Sequence, residues 1–188
     1  MPAMTNFKLE GYTSVAPWVV TDDTGAFFDF VTSAFGGVEL ARVAVEDGSI
    51  GHGEIRVGDT VVLAFDRRPE WPTMPSLLRV FVPDADQAMA RAVEAGARVV
   101  TEAATNAWGG RGGRVRDPFG NIWWVTAQVE TVSPDESWAR LGEPGYAAAM
   151  REAQETLDAE LSGRSSGRAS APVAPTMPGP DHPSDAAH

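Results

Sequence analysis

Polar and apolar side chains alternate along Ile50-Gly51-His52-Gly53-Glu54-Ile55-Arg56-Val57. In an extended strand that spacing puts His52, Glu54 and Arg56 on one face and Gly53, Ile55 and Val57 on the other. A glutamate two residues along the same face can orient an imidazole and raise its basicity, which is the chemistry of a general base. A solvated strand or a surface between two chains would show the same pattern, and both readings stay open. A second group is aromatic and cationic. Trp18 and Trp124 lie in β-rich stretches, where an indole face suits an aromatic or cationic ligand or fills a core. Arg79 interrupts Leu77-Leu78-Arg79-Val80-Phe81, so it either finds a partner or faces a pocket. In Trp108-Gly109-Gly110-Arg111-Gly112-Gly113 one arginine stands among glycines. Such a loop can approach a ligand closely or move over a pocket, with Arg111 clamping an anion, or it can simply connect a hairpin. It is not a phosphate loop, because no Gly-Lys-Ser/Thr and no helix follow.

These residues must be held by elements that occur twice. Trp18-Val19-Val20-Thr21-Asp22 leads to Ala34-Phe35-Gly36-Gly37 and then Val38-Glu39-Leu40; later Val80-Phe81-Val82-Pro83-Asp84 leads to Glu94-Ala95-Gly96 and then Ala97-Arg98-Val99-Val100. Each copy reads as strand, acidic helix cap, amphipathic helix, glycine stop and strand. Hairpin signals at Glu46-Asp47-Gly48-Ser49, Gly58-Asp59 and Asp117-Pro118-Phe119-Gly120 complete two βαβββ modules. The expected organisation is a lead-in over 1–11, a domain over 12–130 with module one at 12–66 and module two at 76–130, a helical extension over 131–161 and a disordered tail over 162–188. Pro69, Pro72 and Pro75 around Trp71 stiffen the connector. Residues 103–113 read as a loop. The fold class is α+β.

Composition narrows the function. The chain has 188 residues, 43% of them hydrophobic, enough for one domain with a real core. It has no cysteine, which excludes disulfides and thiolate chemistry. No leader-like segment opens the chain and no apolar run is long enough to span a bilayer, so the expectation is a cytoplasmic protein without a membrane partner. A formal net charge of -11 argues against nucleic acid and tolerates a cationic small molecule.

Asp117-Pro118-Phe119-Gly120-Asn121-Ile122-Trp123-Trp124, preceded by Gly110–Arg116, resembles the final hairpin of the vicinal oxygen chelate superfamily, which includes glyoxalase I, extradiol dioxygenases and bleomycin-resistance proteins. Phe35-Gly36-Gly37-Val38-Glu39-Leu40-Ala41-Arg42 and Gly51-His52-Gly53-Glu54-Ile55-Arg56-Val57-Gly58-Asp59 are similar to its PhnB-like group. The resemblance implies paired βαβββ modules forming a curved mixed sheet with helices outside, a site on the concave face, and a homodimer. Enzymes of the superfamily hold a divalent metal through His, Glu or Gln at inward strand positions, which the resemblance maps to Val15 or Ala16, Leu63, Leu77 and Trp124. None is a ligand type, whereas a zinc or nickel/manganese site needs about three or four N/O donors. His182 and His188 fall in the tail, leaving His52 alone in the folded part. No metal and no cofactor is therefore expected.

The leading reading is a metal-independent small-molecule-binding protein. It takes an aromatic or cationic ligand against Trp18, Phe81, Trp108 and Trp124, with Arg79, Arg111 and His52 as polar anchors. The alternatives are an isomerase, epimerase or lyase using His52 with Glu54 for proton transfer, a metal enzyme with non-standard ligands, and a purely structural role with Trp124 plugging the cavity.

Overall fold

The structure, a computed structural model, describes residues 8–164. Most of the region read as a disordered tail, and residues 1–7 of the lead-in, lie outside the described residues. Module one runs β1 (Trp18–Thr21), α1 (Thr24–Phe35), β2 (Val38–Ala44), β3 (Ile50–Val57) and β4 (Thr60–Asp66). Module two repeats it as β5 (Leu77–Phe81), α2 (Ala85–Glu94), β6 (Arg98–Thr105), β7 (Gly110–Arg116) and β8 (Ile122–Gln128). Two further helices follow, α3 (Pro134–Leu141) and α4 (Pro144–Leu161).

Local chemistry sets the helix ends. The Asp23 carboxylate accepts from the backbone N–H of Ala26, and Asp84 accepts from that of Gln87, each satisfying a donor that the first helical turn leaves open. Gly36 ends α1 at φ 70°, a left-handed conformation that only glycine adopts without cost. Ser133 caps α3, with a proline in its first turn.

The repeat carries through to topology. The two four-stranded sheets are ordered β1-β4-β3-β2 and β5-β8-β7-β6, each with one parallel pair and two antiparallel pairs. This is the α+β architecture of two βαβββ modules. Each sheet buries one face under its own helix, and α1 and α2 also pack on each other. Phe27, Phe28, Val31 and Ala34 of α1 thus share one core with Ala85, Ala88, Met89 and Ala92 of α2. Trp123 from β8 joins the halves, its ring 4.8 Å from that of Phe35 and 6.4 Å from that of Phe27. The α+β class and the paired modules hold, but the helices expected outside one curved sheet instead pack on each other between two separate sheets, which leaves the open faces of the sheets pointing away from one another. No described helix is long and apolar enough to cross a membrane.

One stretch differs from expectation. Residues 103–113 are not a loop: β6 continues to Thr105 and β7 begins at Gly110, leaving a short turn held by Asn106, whose side-chain oxygen accepts from the N–H of Trp108 and of Gly110. Gly109 stays in the turn at φ 78°, but Gly110, Gly112 and Gly113 are strand residues in close quarters, for a β-carbon on Gly112 would overlap the Val125 carbonyl.

Candidate functional site

Strand alternation sends Leu77, Arg79 and Phe81 to the open face of the second sheet and buries Val80 against the core. The register then sets Arg79 of β5 and Arg114 of β7 on either side of Trp124 of β8. Both guanidiniums stack on that indole, Arg79 at 4.5 Å and Arg114 at 4.7 Å from its ring centroid. Arg79 also lies 4.7 Å from the centroid of Phe81. The result is an alternating pile of Phe81, Arg79, Trp124 and Arg114, each cation facing the electron-rich side of a ring.

The C-terminal helix closes this face. Glu160 of α4 is buried and bonds both Arg98 and Arg116. The Thr156 and Thr101 hydroxyls meet at 2.7 Å, and Arg114 donates to the Ala153 carbonyl. Between α4 and the sheet lies a cavity of about 570 Å³, walled by Arg79, Arg114, Trp124, Trp108, Tyr146 and Met150 among others. That volume suits a small organic molecule. Burial pushes the Arg114 guanidinium down from its ordinary pKa.

The other predicted residues stand on the opposite side of the molecule. Trp18 packs edge-on to His52 at 5.7 Å, and His52 Nε2 lies 2.8 Å from Glu54 Oε1. Tyr12, the first residue of module one, brings its hydroxyl to Glu54, a neighbour the sequence did not foretell. The Tyr12 hydroxyl, and then His52, hold the Glu54 carboxyl below the usual carboxylate range, while the Tyr12 hydroxyl is pushed up to about 12. A depressed carboxyl stabilises the fold above its unfolded pKa, and the stabilisation is lost as pH falls through the folded value. Tyr12→Phe removes the larger cause, so the Glu54 titration should move up, and the acid loss of stability should become smaller and finish at higher pH. Carboxyl-carbon NMR across the acid range reads this directly; an unmoved midpoint would show that the tyrosine does not hold Glu54.

Trp18, His52 and Glu54 thus form one cluster, and Arg79, Phe81, Trp108 and Trp124 another. Trp18 and Trp124 do not wall one cavity. Arg111 joins neither. One residue out of step with Gly110, Gly112 and Arg114, it points to the helix side and pairs with Asp86 in the first turn of α2 at 2.6 Å. Both partners are substantially exposed, so Arg111→Ala should cost under about 1 kcal/mol in a urea melt and leave the cavity's ligand affinity unchanged. A tenfold affinity loss would return Arg111 to the site. Among the residues that sequence reasoning did not select, Arg114 was within reach: it and Trp124 each stand three residues from the Asp117–Asn121 connection, which makes them cross-strand partners.

The donor set does not fit a divalent metal. Of the mapped positions, Leu63 and Leu77 carry hydrocarbon and Trp124 is enclosed by cations, which repel a metal ion. Among the described residues no three His, Cys, Asp or Glu side chains group together as ligands would.

Comparison with known proteins agrees with this architecture. The sequence profile of the Glyoxalase/Bleomycin resistance protein/Dioxygenase superfamily matches residues 12–125. An uncharacterized protein of Mycobacterium bovis is 35% identical over 143 residues, covering 70% of this chain and 94% of its own. The crystal structure of TioX from Micromonospora sp. ML1 is similar with a TM-score of 0.52 at 25% identity, over 62% of this chain and 99% of that one. Protein PA1353 from Pseudomonas aeruginosa shares the fold with a TM-score of 0.53 at 18% identity, over 63% of this chain and 99% of that one.

Proposed function

The chain belongs to the Glyoxalase/Bleomycin resistance protein/Dioxygenase superfamily, and on that premise we propose that it is a metal-independent small-molecule-binding protein whose aromatic ligand enters the cavity between the second sheet and α4. Within the superfamily the Phe35–Arg42 and Gly51–Asp59 stretches favour the PhnB-like group. The observation that carries the reading is the cavity: about 570 Å³ with Trp108, Trp124, Tyr146 and Met150 on its wall and, among the described residues, no paired acid and base reaching into it. A cationic ligand stacked on Trp124 is disfavoured, because guanidiniums already occupy that ring. Native mass spectrometry of the purified protein, before and after incubation with an aromatic library, tests the reading. One organic molecule per chain, recovered chemically unchanged, is the expected result. One equivalent of a divalent metal, or a converted ligand, would overturn it.

A second reading rests on the other face. The 2.8 Å contact of His52 with Glu54, backed by Tyr12, is a proton-transfer geometry for an isomerase, epimerase or lyase. There His52→Ala would abolish turnover and spare binding. The chain also exposes Val38, Leu40, Val43 and Val45 along and beside the edge strand β2, together with Leu77 and Phe81, and we assign these surfaces to a homodimer. Light scattering coupled to size exclusion decides this; a monomer mass at every concentration would remove the dimer.

A further inference from the structure

The second sheet carries five arginines, and three of them have carboxylate partners. Arg98 and Arg116 bond Glu160, and Arg111 bonds Asp86. Arg79 and Arg114 differ: among the described residues neither has a carboxylate partner. Arg114 spends one amino group on the Thr101 hydroxyl and the Ala153 carbonyl, both uncharged. Arg79 makes only its two ring contacts. Glu102 and Glu152 also line the cavity, but both are exposed and neither reaches an arginine. Both guanidiniums lie over Trp124; among the described residues the N–H donors of Arg79, and those of Arg114 outside the amino group that meets Thr101 and Ala153, are left free, and forked donors of this kind bind a planar or tetrahedral oxyanion well. Half-buried positive charge without a counter-ion is costly, and a bound anion would offset that cost. In a chain of net charge -11 such a pair is a local exception to the prevailing field.

We infer that the cavity is a site for an aromatic organic anion, with a carboxylate, sulfonate or phosphate group held between Arg79 and Arg114 at the edge of Trp124 and the apolar portion lying toward Trp108, Tyr146 and Met150. This deepens the proposed function and rests on the same cavity. Gly110 and Gly112 line the sheet side of the cavity with backbone alone.

Two probes with one ring system separate the charge from the pocket. The full-length protein is titrated by fluorescence with 1-anilinonaphthalene-8-sulfonate and with the uncharged N-phenyl-1-naphthylamine, which lacks the sulfonate. The sulfonate should bind at least about tenfold tighter. Arg79→Gln should erase that advantage while moving the uncharged probe by less than about twofold. Among the described residues Arg79 donates no hydrogen bond and gives up only two ring contacts, so this variant should melt within a few degrees of the wild type, which checks that the fold is intact. Arg114→Gln gives a second reading, since its effect on the sulfonate should exceed its effect on the uncharged probe even though α4 loosens. If the uncharged probe binds and the sulfonate gains nothing, or if Arg79→Gln leaves the sulfonate affinity unchanged, the anion site falls and the pocket survives. If neither probe binds, the pocket falls and the anion site with it.

Discussion

Phe27→Ala should destabilise the whole chain by about 3–5 kcal/mol, a large share of the roughly 5–15 kcal/mol that holds a typical domain together. Phe27 is wholly buried, and its ring contacts reach both modules: Phe28 at 6.0 Å within α1, and Phe119 at 5.8 Å and Trp123 at 6.4 Å across the molecule. Truncation removes the burial of one aromatic ring and leaves a void where four rings met, and neither helix can close it without losing its own sheet. The loss should therefore appear in both halves together. Urea melts followed by tryptophan fluorescence and by far-ultraviolet circular dichroism should shift by the same amount and stay coincident. Two separated transitions, or a loss below about 1 kcal/mol, would mean that each module keeps a core of its own.

Glu160→Ala should release α4 and spare the modules. The carboxylate is buried between Arg98 and Arg116, and breaking a buried pair costs about 3–5 kcal/mol where the surviving charge stays buried. Here the arginines are partly exposed, with 54% and 31% of their side chains accessible, so they rehydrate once the helix departs. The cost falls on docking rather than on folding. Faster amide exchange along α4, new proteolytic cuts in the Gly142–Glu143 link and loss of the cavity's ligand should accompany a nearly unchanged melting temperature. Full protection of α4 in the variant would show that the Thr156–Thr101 and Arg114–Ala153 contacts suffice without the carboxylate.

Most of the fold was legible because it is written in short-range chemistry. The duplicated caps at Asp23 and Asp84, the stop at Gly36 and the hairpin turns each act over a few residues. So does strand alternation, which correctly placed His52 beside Glu54 and separated Trp123 from Trp124. The layout of the site was not legible, because alternation says which face a residue takes and not which faces meet. Trp18 and Trp124 lie on open faces, as their positions suggest, yet α1 and α2 pack between the sheets and hold those faces apart. The docking of α4 was hidden for a different reason. Met150, Ala153 and Leu157 recur at helical spacing and are half-buried, yet the polar anchors to the sheet, a hydroxyl pair, a backbone carbonyl and a buried glutamate, give no signal of which surface that face meets. Arg111 was misplaced by reading glycine as loop when it marked close backbone approach inside a strand.

The unequal dressing of the two sheets has a consequence for how such a protein changes over generations. The helices of the central layer are constrained from both sides, so a mutation there is paid for in folding. Tyr146, Met150 and Gln154 sit on a helix outside that layer and yet form one wall of the cavity. Substitutions at these positions can reshape what the cavity accepts with little penalty to the scaffold, so selectivity can drift while the architecture stands still.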